Sequence, residues 1–182
     1  MYLVLGVDKT ILNLEPMFFL RNFSRDLKMV NGIKFDYLNK EYLLAARPRV
    51  KEFLEKLSRD FILIAYSDMP KYITKAKLKM LNLNKYFKYV FGDESLVKGK
   101  KSVQIIASVL DIKPEEIIIV DNNLTNYIGV KQKLLKIKPF MIGKDLNYEF
   151  ENHEDNLASV LKTLNETLAY NLDVNNVVVF VH

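Results

Sequence analysis

Three short runs constrain this chain more than anything else in it: Tyr2-Leu3-Val4-Leu5, Phe61-Ile62-Leu63-Ile64-Ala65-Tyr66 and Glu116-Ile117-Ile118-Ile119-Val120. A strand with one wet face alternates polar and apolar residues, and these runs do not alternate. They must be covered on both faces, which is the signature of a parallel sheet. The stretches between them carry apolar residues at helical spacing. Val50, Phe53, Leu54 and Leu57 follow Arg47-Pro48, which is read as opening a helix. Ile73, the stem of Lys77, Met80 and Leu81 form a stripe over 70–82, and Val103, Ile106 and Leu110 form another over 102–110. Leu157, Val160, Leu161, Leu164 and Leu168 mark a last helix over 154–168. The prediction is an α/β, Rossmann-like parallel sheet flanked by helices. A further short strand is placed at 87–91. A β-hairpin insertion is placed at 27–46, with Asn31-Gly32 as its two-residue turn. No repeat, linker or low-complexity tract divides the 182 residues, so 1–182 is read as one domain.

Several function classes drop out early. The chain has no cysteine, which removes disulfides, thiol nucleophiles and thiolate zinc sites. Two histidines far apart offer no His-based metal site. No apolar run is long enough to span a bilayer, so no membrane role is expected. The chain starts almost directly on its first strand, and a cytoplasmic or nuclear location is the expectation. The net charge of +5 is modest. A solvated lysine surface explains it, and attraction to a phosphoprotein or nucleic acid is the functional alternative, centred on 98–101 and on Lys131, Lys133, Lys136 and Lys138.

In an open parallel sheet, ligands sit at the carboxyl ends of the strands. The residues there are Gly6-Val7-Asp8-Lys9-Thr10, then Ser67-Asp68, then Asp121-Asn122-Asn123, with the loop Leu96-Val97-Lys98-Gly99-Lys100-Lys101 before the last strand. A hydroxyl and an ammonium hold phosphoryl oxygens. Carboxylate and amide oxygens hold a hard cation. The grouping suits phosphate chemistry.

At these residues the chain resembles the FCP/SCP-like (NLI-interacting-factor-like) phosphatases of the haloacid dehalogenase (HAD) superfamily. Leu5-Gly6-Val7-Asp8-Lys9-Thr10-Ile11-Leu12 stands against their first motif, LDLDETLV. Arg47-Pro48 with Glu52-Phe53-Leu54, Tyr66-Ser67, Val97-Lys98, Val120-Asp121-Asn122 and Ile137-Lys138-Pro139-Phe140 follow in the family's order. The resemblance spans nearly the whole chain. It implies a HAD-like fold without a large cap domain, an open site suited to a phosphopeptide, and Mg²⁺ as the metal. It also implies roles: Asp8 as acid and base, Thr10 and Ser67 as hydroxyls, Lys98 as the phosphate-holding ammonium (Lys100 or Lys101 if the loop shifts), and Asp8, Asp121 and Asn122 around the metal.

One departure dominates. The family's first aspartate attacks phosphorus and also ligates Mg²⁺, and here that position is Gly6. Glycine supplies neither a nucleophile nor a ligand. The expectation is a catalytically impaired pseudophosphatase that binds phosphoproteins or other protein partners, with Mg²⁺ held weakly. Two alternatives stand beside it. One is an active Mg²⁺-dependent serine/threonine phosphatase using Asp8 as nucleophile. The other is a Lys-rich domain that binds nucleic acid or a scaffold.

Overall fold

The structure is a computed structural model, and it describes residues 1–20, 32–128, 133–142, 150–169 and 178–180. In chain order the elements are β1 (Tyr2–Gly6), β2 (Leu12–Pro16), the single turn α1 (Met17–Leu20), β3 (Ile33–Tyr37), β4 (Lys40–Ala46) and α2 (Val50–Asp60). Then come β5 (Ile62–Tyr66), α3 (Lys71–Met80), β6 (Tyr89–Phe91), β7 (Leu96–Val97), β8 (Lys100–Ser102) and α4 (Val103–Leu110). The last are β9 (Ile117–Asp121), β10 (Tyr127–Ile128), β11 (Lys133–Lys136), α5 (Phe150–Ala169) and β12 (Val178–Phe180).

The main sheet runs β12-β11-β9-β1-β5-β6, and its pairings are parallel. Successive strand residues face opposite sides. Leu3, Leu5, Leu63 and Ala65 therefore pack on one face with Leu54 and Leu57 of α2, Leu78 of α3 and Val160 and Leu164 of α5. Val4, Ile64, Ile117 and Ile119 pack on the other with Val103 and Ile106 of α4. That is the two-faced burial which the unalternating runs predict.

β1 lies between β5 and β9, and the chain leaves it for opposite sides of the sheet. This switch point puts Gly6, Ser67 and Asp121 side by side: Gly6 pairs with Tyr66, and Leu5 with Val120. A small sheet, β10-β8-β7, stands beside it and pairs Tyr127 with Lys101.

Three expectations change. The insertion is a three-stranded antiparallel sheet, β2-β4-β3, rather than a lone hairpin. Its β3–β4 turn is Leu38-Asn39, and both residues hold left-handed backbone (φ 49° and 57°). The arm expected at Leu27–Val30 and the turn residue Asn31 lie outside the described residues. Lys133–Lys136, read as surface charge, is the strand β11 paired with β9, and it buries Leu135. Arg47 does not open a helix; its role belongs to the site. Among the described residues no helix is long and apolar enough to cross a membrane.

Candidate functional site

The loop between β1 and β2 is a tight backbone knot. The amides of Thr10, Ile11 and Leu12 all point at the carbonyl of Val7, and Lys9 takes a left-handed φ of 60°. Arg47, 1% exposed, locks this knot from below. Its guanidinium donates to the carbonyls of Thr10 (2.6 Å) and Lys9 (3.3 Å) and to that of Lys138, and it lies over the ring of Phe140 at 5.7 Å. The amide of Phe140 donates back to Lys9 O at 2.7 Å. The Arg47-Pro48 and Ile137–Phe140 motifs thus hold the site loop in place.

Asp8 leaves the knot toward β5. Ser67 Oγ donates to Asp8 Oδ2, Lys77 Nζ donates to Asp8 Oδ1, and Met69 N donates to Ser67 Oγ at 3.1 Å. Lys77 is fully buried on α3 and also lies 3.2 Å from Met69 Sδ. Both oxygens of Asp8 are therefore engaged from within the protein. The sequence carried a signal for this. A lysine on the buried stripe of a helix needs a partner.

Asp121 is the centre of a second cluster. It is 2% exposed, and its Oδ2 accepts from Lys101 Nζ at 2.8 Å and Tyr127 Oη at 2.9 Å. Its Oδ1 accepts from the amide of Asn123 at 3.0 Å. Lys101 lies between two rings, 5.7 Å from that of Tyr66 and 5.4 Å from that of Tyr127. The ammonium at the centre is thus Lys101, the alternative three residues on from Lys98. Lys98 stands exposed in the β7–β8 turn with φ 51°. Burial, and then the Asp121 carboxylate, push the Tyr127 phenol well above its ordinary value. The Tyr66 phenol is also raised, mainly by burial, against the lowering effect of the Ser102 amide that donates to it.

Gly6 faces this cluster. A Cβ placed on it would lie 2.8 Å from Asp121 Oδ1 and nearer still to Oδ2. The Asp121 carboxylate fills the volume in which a side chain at position 6 would begin. Close by, the amide of Asn122 donates to Thr10 Oγ1 at 3.0 Å. The terminal amide group of Asn122 lies 3.0 Å from Thr10 Oγ1, the Asp8 carbonyl and Asp121 Oδ1. Two of those three oxygens only accept, so Asn122 satisfies them by turning its NH₂ group inward.

Asp8, Lys101, Asp121 and Asn122 line one side of a cleft of about 490 Å³, Leu14, Tyr37 and Tyr42 of the insertion line the other, and Thr10, Ser67, Lys77 and Tyr127 lie buried behind it. The structure thus gathers Asp8, Thr10, Ser67, Asp121 and Asn122, as expected, and adds Lys77, Lys101 and Tyr127. Tyr127 belongs at the same time to the buried core beside Tyr66.

The sequence profile described as NLI interacting factor-like phosphatase matches residues 1–175. No curated protein sequence matches the chain. Among solved structures, the fission yeast RNA polymerase II CTD phosphatase Fcp1-R271A bound to beryllium fluoride is similar at TM-score 0.61 and 17% identity, over 92% of this chain and 51% of that one. A second structure of Fcp1, described as an essential RNA polymerase II CTD phosphatase, gives TM-score 0.63 and 17% identity over 97% and 55%. A predicted phosphoglycolate phosphatase from Haemophilus somnus 129PT gives TM-score 0.60 and 14% identity over 90% and 97%. The chain spans about half the length of the Fcp1 chains. At these identities the likeness concerns the fold, which is that of the HAD hydrolases.

Proposed function

Because the chain belongs to the NLI interacting factor-like phosphatase family, we propose that it is a catalytically impaired member whose cleft serves protein interaction. One observation carries the reading: the Asp121 carboxylate occupies the volume of a side chain at Gly6. A nucleophile there is absent, and its space is already filled. Asp8 cannot readily substitute. An attacking carboxylate needs a free oxygen, and the two oxygens of Asp8 are held by Ser67 and Lys77.

The charges in the cleft favour a protein segment over a free phosphoryl group. Lys77 and Lys101 are each paired with a buried or half-buried carboxylate, Asp8 and Asp121 respectively. Asp68 adds a further negative charge, 3.7 Å from Lys101. Exposed Lys9 is the cation of the lining that the structure leaves to solvent. Across the cleft, Leu14, Tyr37 and Tyr42 offer apolar and aromatic contact of the kind that holds a peptide side chain.

HAD phosphatases use Mg²⁺. The oxygens here fit a hard cation only if Asn122 turns its oxygen inward. Asp8 O, Asn122 Oδ1 and Asp121 Oδ1 would then be the donors, and Mg²⁺ would supply charge to polarise a phosphoryl oxygen. A single carboxylate whose other oxygen is bound to Lys101 makes a weak site.

The test is turnover of an aryl phosphate with Mg²⁺, run beside Asp8→Asn, with Mg²⁺ binding read separately by thermal shift. The expected result is no turnover above buffer, and no thermal shift below millimolar Mg²⁺. Turnover by the native chain that Asp8→Asn abolishes would establish the active-phosphatase alternative and sink the proposal.

A further inference from the structure

A second concavity, of about 630 Å³, lies at the β6 edge of the main sheet and shares no lining residue with the cleft. Its floor is Phe87, Val90 and Phe91 with Leu110 from the end of α4. Four lysines rim it: Lys71, Lys75 and Lys79 from α3, and Lys88 from the turn before β6. No acidic side chain belongs to the lining.

These lysines are all exposed, and among the described residues none has a carboxylate within ion-pairing reach. Lys71 and Lys88 lie only over rings, Phe91 at 6.0 Å and Tyr89 at 5.8 Å. Asp93 and Glu94 share a separate concavity with Lys71 and Lys75, but neither acid forms an ion pair with them. Uncompensated like charge along one wall costs energy in the free protein, and a bound partner of opposite sign relieves that cost.

The strand at the base of the groove is also incomplete. β6 ends the sheet order, with β5 on one side and no strand among the described residues on the other. An open strand edge presents backbone donors and acceptors that an added extended segment can pair. The spacing of the wall matches such a segment. Lys71, Lys75 and Lys79 recur every fourth residue of α3, about 6 Å apart at the α-helical rise. Alternate side chains of an extended strand recur about every 6.6 Å. Acids at every second position would therefore meet the lysines in register, and the residues between would face away.

We propose that this groove binds an acidic, extended segment of a partner protein, which adds as a strand beside β6 and sets alternate carboxylates against Lys71, Lys75 and Lys79. Two features favour a peptide over a nucleic acid. The floor is apolar, and the wall carries lysines without the arginine forks and exposed stacking rings that hold single strands. The groove is independent of the cleft, so this inference stands whichever way the phosphatase assay falls.

The test uses a short fluorescein-labelled peptide of alternating glutamate and valine, with binding read by anisotropy on the full chain. Binding should weaken about tenfold in Lys75→Glu/Lys79→Glu, a loss of about 1.4 kcal/mol. The exposed α2 pair Lys51→Glu/Lys56→Glu should leave it unchanged. N-methylation of every second peptide amide should abolish binding in one phase and spare it in the other, because only one set of amides faces β6. Failure of the peptide to bind overturns the proposal. So does binding indifferent to both N-methylation phases, or matched by a single-stranded oligonucleotide of equal charge.

Discussion

At Gly6, a missing side chain and a present one share a single volume. Asp121 is pinned by Lys101, Tyr127 and the Asn123 amide. It cannot swing aside without breaking those bonds. Gly6→Ala is therefore expected to destabilise the protein by about 1–3 kcal/mol, as overpacking does in a filled site, measured by urea unfolding. A neutral outcome would show that Asp121 moves freely. By the same contact Gly6→Asp alone is expected to show no turnover of an aryl phosphate, although the family resemblance puts an aspartate at that position. Tyr127 gives the cluster a pH signature. Its phenol is held above its ordinary value of 10.0 in the fold, by burial first and Asp121 second. The unfolded chain therefore ionises first as pH rises. The contribution is intact below pH 10 and is lost between there and the folded value, at up to about 1.4 kcal/mol per pH unit. Urea midpoints from pH 9 to 11 should fall more steeply in the native chain than in Tyr127→Phe. Parallel curves would count against this account.

At the scale of elements, what the sequence showed and what it hid divide along a physical line. β1, β5 and β9 were readable because each is buried on both faces and so is apolar throughout. The helices α2 to α5 were readable because each buries one stripe. β11 was not, because Lys133-Leu134-Leu135-Lys136 is too short and too charged to announce a strand, and its pairing with β9 is a tertiary fact. The insertion misled for a related reason. The turn expected at Asn31-Gly32 lies partly outside the described residues, while the β3–β4 turn falls at Leu38-Asn39: Asn39 suits left-handed backbone, but strand pairing also imposes it on Leu38, which does not prefer it. Leu38 is 73% exposed, so it packs little. Leu38→Asn should relieve its backbone strain and stabilise the fold by about 0.5–1 kcal/mol, seen as a higher melting temperature. A lower one would mean that Leu38 makes an apolar contact worth more than the strain.

Over the whole molecule, the site residues readable in advance were those that directly follow a strand: Asp8, Thr10, Ser67, Asp121 and Asn122. Their position depends only on the parallel sheet. Lys77 was not assigned and Lys101 stood only as an alternative to Lys98, because they reach the site from α3 and from β8 of the small sheet, and no local pattern tells where those elements dock. Both lysines do the same thing. Each brings a positive charge from outside the β1 loop to neutralise one carboxylate of the centre. The arrangement is therefore expected to act as a fastening between α3 and the β1 loop. Lys77 is fully buried, but the Asp8 side chain is 32% exposed, so water softens the loss when the pair is broken. Lys77→Met should cost about 2–3 kcal/mol, below the range for a fully buried pair, and Asp8→Asn should cost less. Combined, the two should cost at least about 1 kcal/mol less than their sum, because each alone strands the other's partner. Strict additivity in urea unfolding would mean that the two groups do not depend on each other, and α3 would then be held to the sheet by its apolar stripe alone.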